Sequence, residues 1–202
     1  MSIANVAGNA QATLLQKALQ PYQSAKIFWA KSTDLACGVK NCYSQPETLG
    51  IDRWAALIAG WHQAKESCIV VNAGTAVTID TLQAGADNTA TFVGGMILPG
   101  LRLMQQTLAQ NTAGLQTPSG QYSVFPKNTG DAIYSGACNA IIGAIGLAAK
   151  RINQHSSSVP IIISGGDAVL LSPLATDLGL KVSVSPHLVL QGLRLLEKAS
   201  ST

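Results

Sequence analysis

The 202-residue sequence is poor in charge: Asp, Glu, Lys and Arg make up only 11% of it, and like charges gather nowhere. With 47% hydrophobic residues, that excludes an intrinsically disordered chain, which is rich in charge and poor in core-forming residues. Much apolar surface must be buried within the fold or against a partner, so a homo-oligomer is expected. Thirteen basic and ten acidic residues leave a formal charge of +3 with no Lys/Arg cluster, which removes the electrostatic footprint of a nucleic-acid or anionic-membrane binder. Cysteine is scarce. Cys37, Cys42, Cys68 and Cys138 follow no zinc spacing, and His62, His155 and His187 do not sit beside them, so four free thiols in a reducing cytoplasm are expected. The opening Met1-Ser2-Ile3-Ala4-Asn5 has no basic region leading into an apolar one, and it is not read as a signal peptide. One uncharged run, Ala132 to Ala149, is just long enough to be weighed as a membrane span. Its Tyr134, Ser135, Asn139, Gly136, Gly143 and Gly146 point instead to the buried helix of a soluble protein.

Alternating short apolar runs and longer amphipathic ones predict an α/β fold. Ser2 to Val6 reads as a strand, Ala10 to Leu19 as a helix and Lys26 to Ala30 as a second strand. A polar loop from Ser32 to Leu49 leads to a helix opening at Ile51, with Trp54, Leu57, Ile58 and Trp61 on its apolar side. Cys68 to Asp80 contains two β-branched runs joined at Gly74, the pattern of a hairpin, and a strand from Thr89 to Val93 is expected to end at Gly94-Gly95. A helix follows Pro99, and an irregular link holds Pro118 and Pro126. The long helix from Thr129 to Ile152 carries Gly136, Ala140 and Ala144 at helical spacing, which suits close approach by another helix. Pro160 to Ser164 and Lys181 to Val184 read as strands, a surface turn spans Asn153 to Ser158, and Pro186 is expected at the first position of a final helix.

Two constellations carry chemistry. In Asn72-Ala73-Gly74-Thr75 a strand delivers its end to a glycine and a hydroxyl, groups that present N–H and O–H donors to an anion. Gly94-Gly95 and Gly165-Gly166 are glycine pairs expected at two further strand ends, with Pro99-Gly100 and Asp167 opening the helices beyond. Any one pair suits an ordinary strand-to-helix turn. Together the three suit a phosphate and nucleoside cleft of the actin, hexokinase and acetate kinase type, where glycine lets backbone approach the ligand. The second constellation is Tyr43 with Gly50-Ile51-Asp52-Arg53. Asp52 there either complements a helix N-terminus or takes a proton from a substrate hydroxyl while Arg53 and Tyr43 hold the substrate's polar end.

Taken together, Leu49-Gly50-Ile51-Asp52-Arg53, Asn72-Ala73-Gly74-Thr75-Ala76-Val77-Thr78-Ile79-Asp80, Gly94-Gly95-Met96-Ile97-Leu98-Pro99-Gly100, Asn128-Thr129 with Ala132-Ile133, and Ser164-Gly165-Gly166-Asp167 resemble the type III pantothenate kinases, the family that includes the Bvg accessory factor proteins. The resemblance spans essentially the whole chain. It implies a two-lobed, ribonuclease-H-like fold of the actin/hexokinase/acetate kinase superfamily, acting as a homodimer with a shared active site. Residues 1–66 would be a partial first lobe with the C-terminal helix, 187–202, packed on it, and residues 67–186 the second lobe. By the same resemblance Asp52 is the general base, and Tyr43, Gly50, Ile51 and Arg53 line the pantothenate pocket. Thr129 reaches the pantothenate of the neighbouring subunit, Gly74, Thr75, Gly165 and Gly166 contact ATP, and Asn72 stands at the monovalent-cation position. The cofactors implied are ATP, Mg2+ and a monovalent cation, K+ or NH4+.

Two departures from the family pattern set further expectations. Family members open with a strand bearing Asp-x-Gly-Asn-Thr, whose loop cradles the ATP phosphates, whereas Ser2 to Val6 matches a later strand. The first lobe is therefore expected to be incomplete and the start to lie downstream of the natural one. Strands at Ser2 to Val6 and Lys26 to Ala30 would then have unpaired edges, at about 1–3 kcal/mol for each unpaired buried group. Asn72 replaces the family's usual aspartate, keeping a carbonyl oxygen and losing the charge that helps hold a cation. Three functions stay open on this reading: a pantothenate kinase, a non-catalytic regulator on the same fold, and a kinase of another hydroxylated substrate.

Overall fold

A computed structural model describes residues 1–6, 8–22, 27–111, 120–152 and 158–201 of the protein. In chain order the first elements are β1 (Ser2–Ile3), α1 (Asn9–Ala18), β2 (Phe28–Trp29), β3 (Leu35–Ala36), β4 (Val39–Asn41) and α2 (Ile51–Ala64). They are followed by β5 (Cys68–Ala73), β6 (Ala76–Ala84), β7 (Ala90–Pro99), α3 (Leu101–Asn111) and α4 (Thr129–Ile152). The last are β8 (Ile161–Ser164), α5 (Ala168–Asp177), β9 (Val182–Val184) and α6 (Leu188–Ala199). The mixed α/β class is as expected. Pro118 and nearly all of the turn expected at Asn153 to Ser158 lie outside the described residues.

The chain forms two compact units. One comprises Met1–Ser67, Leu82–Gly94 and His187–Thr202, the other Cys68–Thr81 and Gly95–Pro186. In the first unit the two short opening strands pair with each other in parallel, Ser2 with Phe28 and Ile3 with Trp29. Both are shorter than expected. The β3–β4 hairpin turns through Cys37 at φ 49° and Gly38 at φ 79°, and β4 pairs in parallel with β7 from Val39 and Ala90 to Asn41 and Phe92.

Apolar residues at 54, 57, 58 and 61 make α2 a core helix. In fact nearly all of it is buried, from Ile51 through Trp61 with Asp52 the exception, and it ends where Lys65 turns left-handed at φ 54°. Helix α6 crosses it closely. A Cβ added to Gly192 would stand 1.8 Å from the Ala55 carbonyl oxygen, so glycine is what lets the two backbones touch. Glu197 of α6 also accepts a 2.6 Å hydrogen bond from the Ser2 hydroxyl.

The second unit is built on a parallel core. Strand β5 pairs with β8 from Ile69 and Ile161 to Asn72 and Ser164, and β8 pairs with β9. All four residues of β8 are buried, the continuous apolar run expected of a strand covered on both faces. Strand β6 neighbours β5, and a connection of only Gly74-Thr75 makes the pair antiparallel. Helix α4 spans the residues expected. Its Cys138, Ile141, Ile142 and Ile145 pack against Ile69, Val71, Ile79 and Ile163. By length and composition it could cross a membrane, and Ala148 and Ala149 continue its buried stripe. Gly136, Gly143 and Gly146 face open space.

Two boundaries correct the sequence reading. Strand β7 does not stop at Gly94-Gly95 but continues to Pro99, because ladder pairing tolerates a glycine at φ 134° that local propensity counts as a breaker. Pro186 does not occupy the first helical position. The N-cap is His187, left-handed at φ 57°, so proline sits one residue outside the helix.

Candidate active site

Within the first unit, the loop before α2 and the helix's first turn assemble Tyr43, Gly50, Ile51, Asp52 and Arg53. The loop is pinned by Asn41, 4% exposed, whose amide donates to the carbonyls of Thr33 at 3.2 Å and Pro46 at 3.1 Å. Its Oδ1 accepts the Tyr43 N–H at 3.1 Å. Tyr43 is thereby held where its hydroxyl accepts a 3.0 Å hydrogen bond from Arg53 Nη1. The Arg53 guanidinium lies 5.7 Å from the Tyr43 ring centroid and 5.9 Å from that of Phe92, and the two rings are 5.3 Å apart. Arg53 is 6% exposed, so its charge is oriented by these partners rather than solvated. A planar guanidinium fixed in this way suits a carboxylate or polar carbonyl ligand.

Asp52 is held through one carboxylate oxygen. Its Oδ1 accepts the Arg53 N–H at 2.8 Å, satisfying a donor in the helix's first turn. Among the described residues no hydrogen bond reaches Oδ2, and that oxygen is left to accept a ligand proton. A Cβ at Gly50 would come 2.7 Å from Asp52 Oδ1, so glycine leaves the carboxylate room in this rotamer.

Within the second unit, Asn72, the next-to-last residue of β5, pairs with Ser164 of β8, and Gly74-Thr75 forms the tip of the β5–β6 hairpin. Two glycines let backbones meet at this tip. A Cβ on Gly100 would lie 2.0 Å from the Gly74 oxygen, and one on Gly165, at φ 102°, would lie 2.2 Å from the Ala73 oxygen. The Gly100 N–H donates to the Thr75 carbonyl at 2.9 Å and the Asp167 N–H to the Ala73 carbonyl at 3.1 Å. These bonds tie the starts of α3 and α5 to the hairpin. Gly166 faces open space. The result is a cleft of about 390 Å³ lined by Gly74, Thr75, Arg102, Leu103, Gln106 and Asp167.

Burial raises the Asp167 carboxyl above its ordinary range. Its negative charge in turn adds to the burial that pushes the Cys138 thiol up to about 11. Among the described residues no three His, Cys, Asp or Glu side chains cluster around a metal position. A magnesium ion delivered by a nucleotide needs only one or two carboxylates besides phosphate oxygens. Asp167 supplies one, and Thr75 and Arg102 supply donors for phosphate, so the cleft's residues fit such a complex.

Thr129 is exposed at the start of α4 and does not line the cleft at the hairpin tip. It borders an apolar groove of about 580 Å³ between α3 and α4, with Pro99, Met104, Leu108, Ile133 and Ala140. Asn128 fixes this helix start: its Oδ1 accepts the Asp131 N–H at 2.9 Å and its amide donates to the Asp131 carboxylate at 2.7 Å.

Sequence reasoning missed the structural part played by Asn41 and the cleft residues Arg102, Gln106 and Asp167. Arg102 left a readable signal, as the only basic residue between Lys65 and Lys127. Asp167 directly follows the glycine pair, where sequence alone suggests only a helix opener.

Comparison with known proteins identifies the family. Residues 1–151 match the family described as Type III pantothenate kinase. A type III pantothenate kinase from Methylobacillus flagellatus is 42% identical over 98% of this chain and 81% of its own length. One from Aromatoleum aromaticum is 43% identical over 96% of this chain and 76% of its own. Among solved structures, a Campylobacter jejuni protein described as a Baf family transcriptional activator superposes with a TM-score of 0.60 at 22% identity. That match covers 92% of this chain and 79% of the other.

Proposed function

Since the chain belongs to the type III pantothenate kinase family, we propose that it phosphorylates pantothenate to 4′-phosphopantothenate, the first step of coenzyme A synthesis, with Asp52 as the general base. The observation that carries this reading is the carboxylate held by one oxygen and open at the other, next to a buried arginine already oriented on a tyrosine. Arg53 and Tyr43 take the polar end of pantothenate, and Gly50 and Ile51 shape the pocket wall. Asp52 Oδ2 accepts the proton of the primary hydroxyl as its oxygen bonds to the γ-phosphorus of ATP. The bond from that phosphorus to the β–γ bridging oxygen breaks, and ADP leaves. Gly74, Thr75, Gly165 and Gly166 hold the nucleotide. Magnesium, when bound, neutralises charge on the transferring phosphoryl group. Asn72 offers a neutral oxygen to K+ or NH4+, a weak form of a cation site.

The remaining parts of the reading are a two-lobed ribonuclease-H-like kinase working in the cytoplasm as a homodimer, with Thr129 reaching the pantothenate of the neighbouring subunit. The compact unit of residues 1–67, 82–94 and 187–202 supports assigning 1–66 with the C-terminal helix to the first lobe.

The test is pantothenate-dependent ADP release by the wild type and Asp52→Asn. The variant keeps an oxygen for the Arg53 N–H and therefore its fold. Turnover is expected to fall by about 10²–10⁴, the contribution of a positioned base, with an unchanged melting temperature. Wild-type turnover in Asp52→Asn would overturn the assignment of the base. A well-folded wild type with no turnover would favour the regulator reading.

A further inference from the structure

Asn41 spends its whole side chain on the loop before α2. Its amide donates to carbonyls on both sides, Thr33 at 3.2 Å upstream and Pro46 at 3.1 Å downstream, and its Oδ1 accepts the Tyr43 N–H at 3.1 Å. Its own backbone is fixed independently of that loop, because its N–H donates to the Asp34 carbonyl at 2.8 Å and the residue pairs with Phe92 of β7. Between β4 and α2 the chain has only the short 3-10 turn Pro46–Thr48, and the Tyr43 N–H is taken by a side chain rather than by a strand partner. The Pro46 carbonyl that Asn41 binds also accepts the Leu49 N–H at 3.2 Å, so the same amide steadies the turn that leads into Gly50. Tyr43 therefore takes its place from one buried amide rooted in the sheet, and Arg53 Nη1 takes its acceptor from Tyr43.

Resting on the kinase reading above, we infer that Asn41 is a positioning residue for pantothenate, setting its affinity through Tyr43 without touching it. With Asn41 truncated, the Thr33 and Pro46 carbonyls lose their buried donor and turn towards water. The loop then shifts and the tyrosine leaves the guanidinium. Asp52 is held by the Arg53 backbone N–H in the first turn of α2, outside this network, so substrate affinity should respond and the chemical step should not.

The experiment is a double-mutant cycle on Asn41→Ala and Tyr43→Phe, read by calorimetric pantothenate binding and by kcat from ADP release, with Val39→Ala as control. Asn41→Ala is expected to weaken binding about tenfold and to leave kcat within about threefold of wild type. Because Asn41 acts through Tyr43, the double variant should bind within about threefold of the weaker single variant, rather than at the roughly hundredfold loss of two independent effects. Val39, fully buried on the same strand, contributes none of these side-chain bonds, so Val39→Ala should lower Tm while Kd stays within about twofold. If Asn41→Ala does not fold, Asn41→Ser, which keeps one hydroxyl donor, goes through the same cycle. An Asn41 variant that binds like wild type, a double variant whose losses multiply, or a Val39→Ala protein that loses as much affinity overturns this inference and leaves the kinase reading standing. A folded wild type that binds no pantothenate overturns both.

Discussion

Tyr43→Phe isolates one atom of the acceptor cluster. The ring remains, so the 5.3 Å contact with Phe92 and the ring beneath the guanidinium are kept, while Arg53 Nη1 loses its 3.0 Å acceptor. Arg53 is only 6% exposed, so water replaces that acceptor poorly. A hydrogen bond to a charged group contributes about 1.5–3 kcal/mol, and the half-buried position of Tyr43 puts the loss near 1.5 kcal/mol. For a chain of this size each kcal/mol moves Tm by about 2–4 °C, so Tyr43→Phe is expected to melt ~3–6 °C below wild type. The guanidinium also loses its fixed aim at the substrate, so KM for pantothenate should rise about tenfold, equivalent to ~1.4 kcal/mol. Asp52 is oriented by the Arg53 backbone N–H rather than by its side chain, so kcat should stay within about threefold. A thermal melt and ADP release at varied pantothenate read both quantities. A variant that matches wild type in Tm and KM refutes the reasoning. One whose kcat collapses at constant KM would place Tyr43 in the chemistry instead of in holding the substrate.

Gly192→Ala would set a Cβ 1.8 Å from the Ala55 oxygen and 2.4 Å from its carbonyl carbon, and backbone cannot yield as a side chain does. A loss of about 3 kcal/mol is expected in a urea titration, against about 0.5 kcal/mol or less for exposed Leu190→Ala on the same helix; equal losses would remove the close helix crossing from the account. At Asp167, burial raises the carboxyl above its ordinary 3.8, so the folded state favours the protonated form. Stability from this group is full below the ordinary value and falls as pH rises through the raised one. Asp167→Asn, uncharged throughout, should therefore melt higher than wild type at pH 7, with the gap closing as pH is lowered towards 4. A gap that widens on acidification would contradict the cause assigned to the shift.

What could be read along the chain is what short-range physics controls. Thr129 and Ile152 bound α4 in both readings because apolar spacing, the first-turn Asp131 and the last-turn Lys150 and Arg151 are all local signals. Gly74 marks the hairpin because two-residue connections demand particular residues. The Tyr43, Asp52 and Arg53 set was legible because three groups of complementary chemistry lie within one loop and one helical turn. Tertiary structure alone decided the rest. Strand β7 runs through Gly94-Gly95 because neighbouring strands supply its hydrogen bonds, a condition no window of sequence contains. Gly100, Gly165 and Gly192 are needed because backbone from distant segments arrives within a Cβ radius of each. Arg102 and Asp167, 65 positions apart, become one charge-divided cleft only after two helices are tied to the same hairpin tip. A side chain's chemical type is written in the sequence, but its charge state and partners depend on which groups share its burial, and the folded chain sets those.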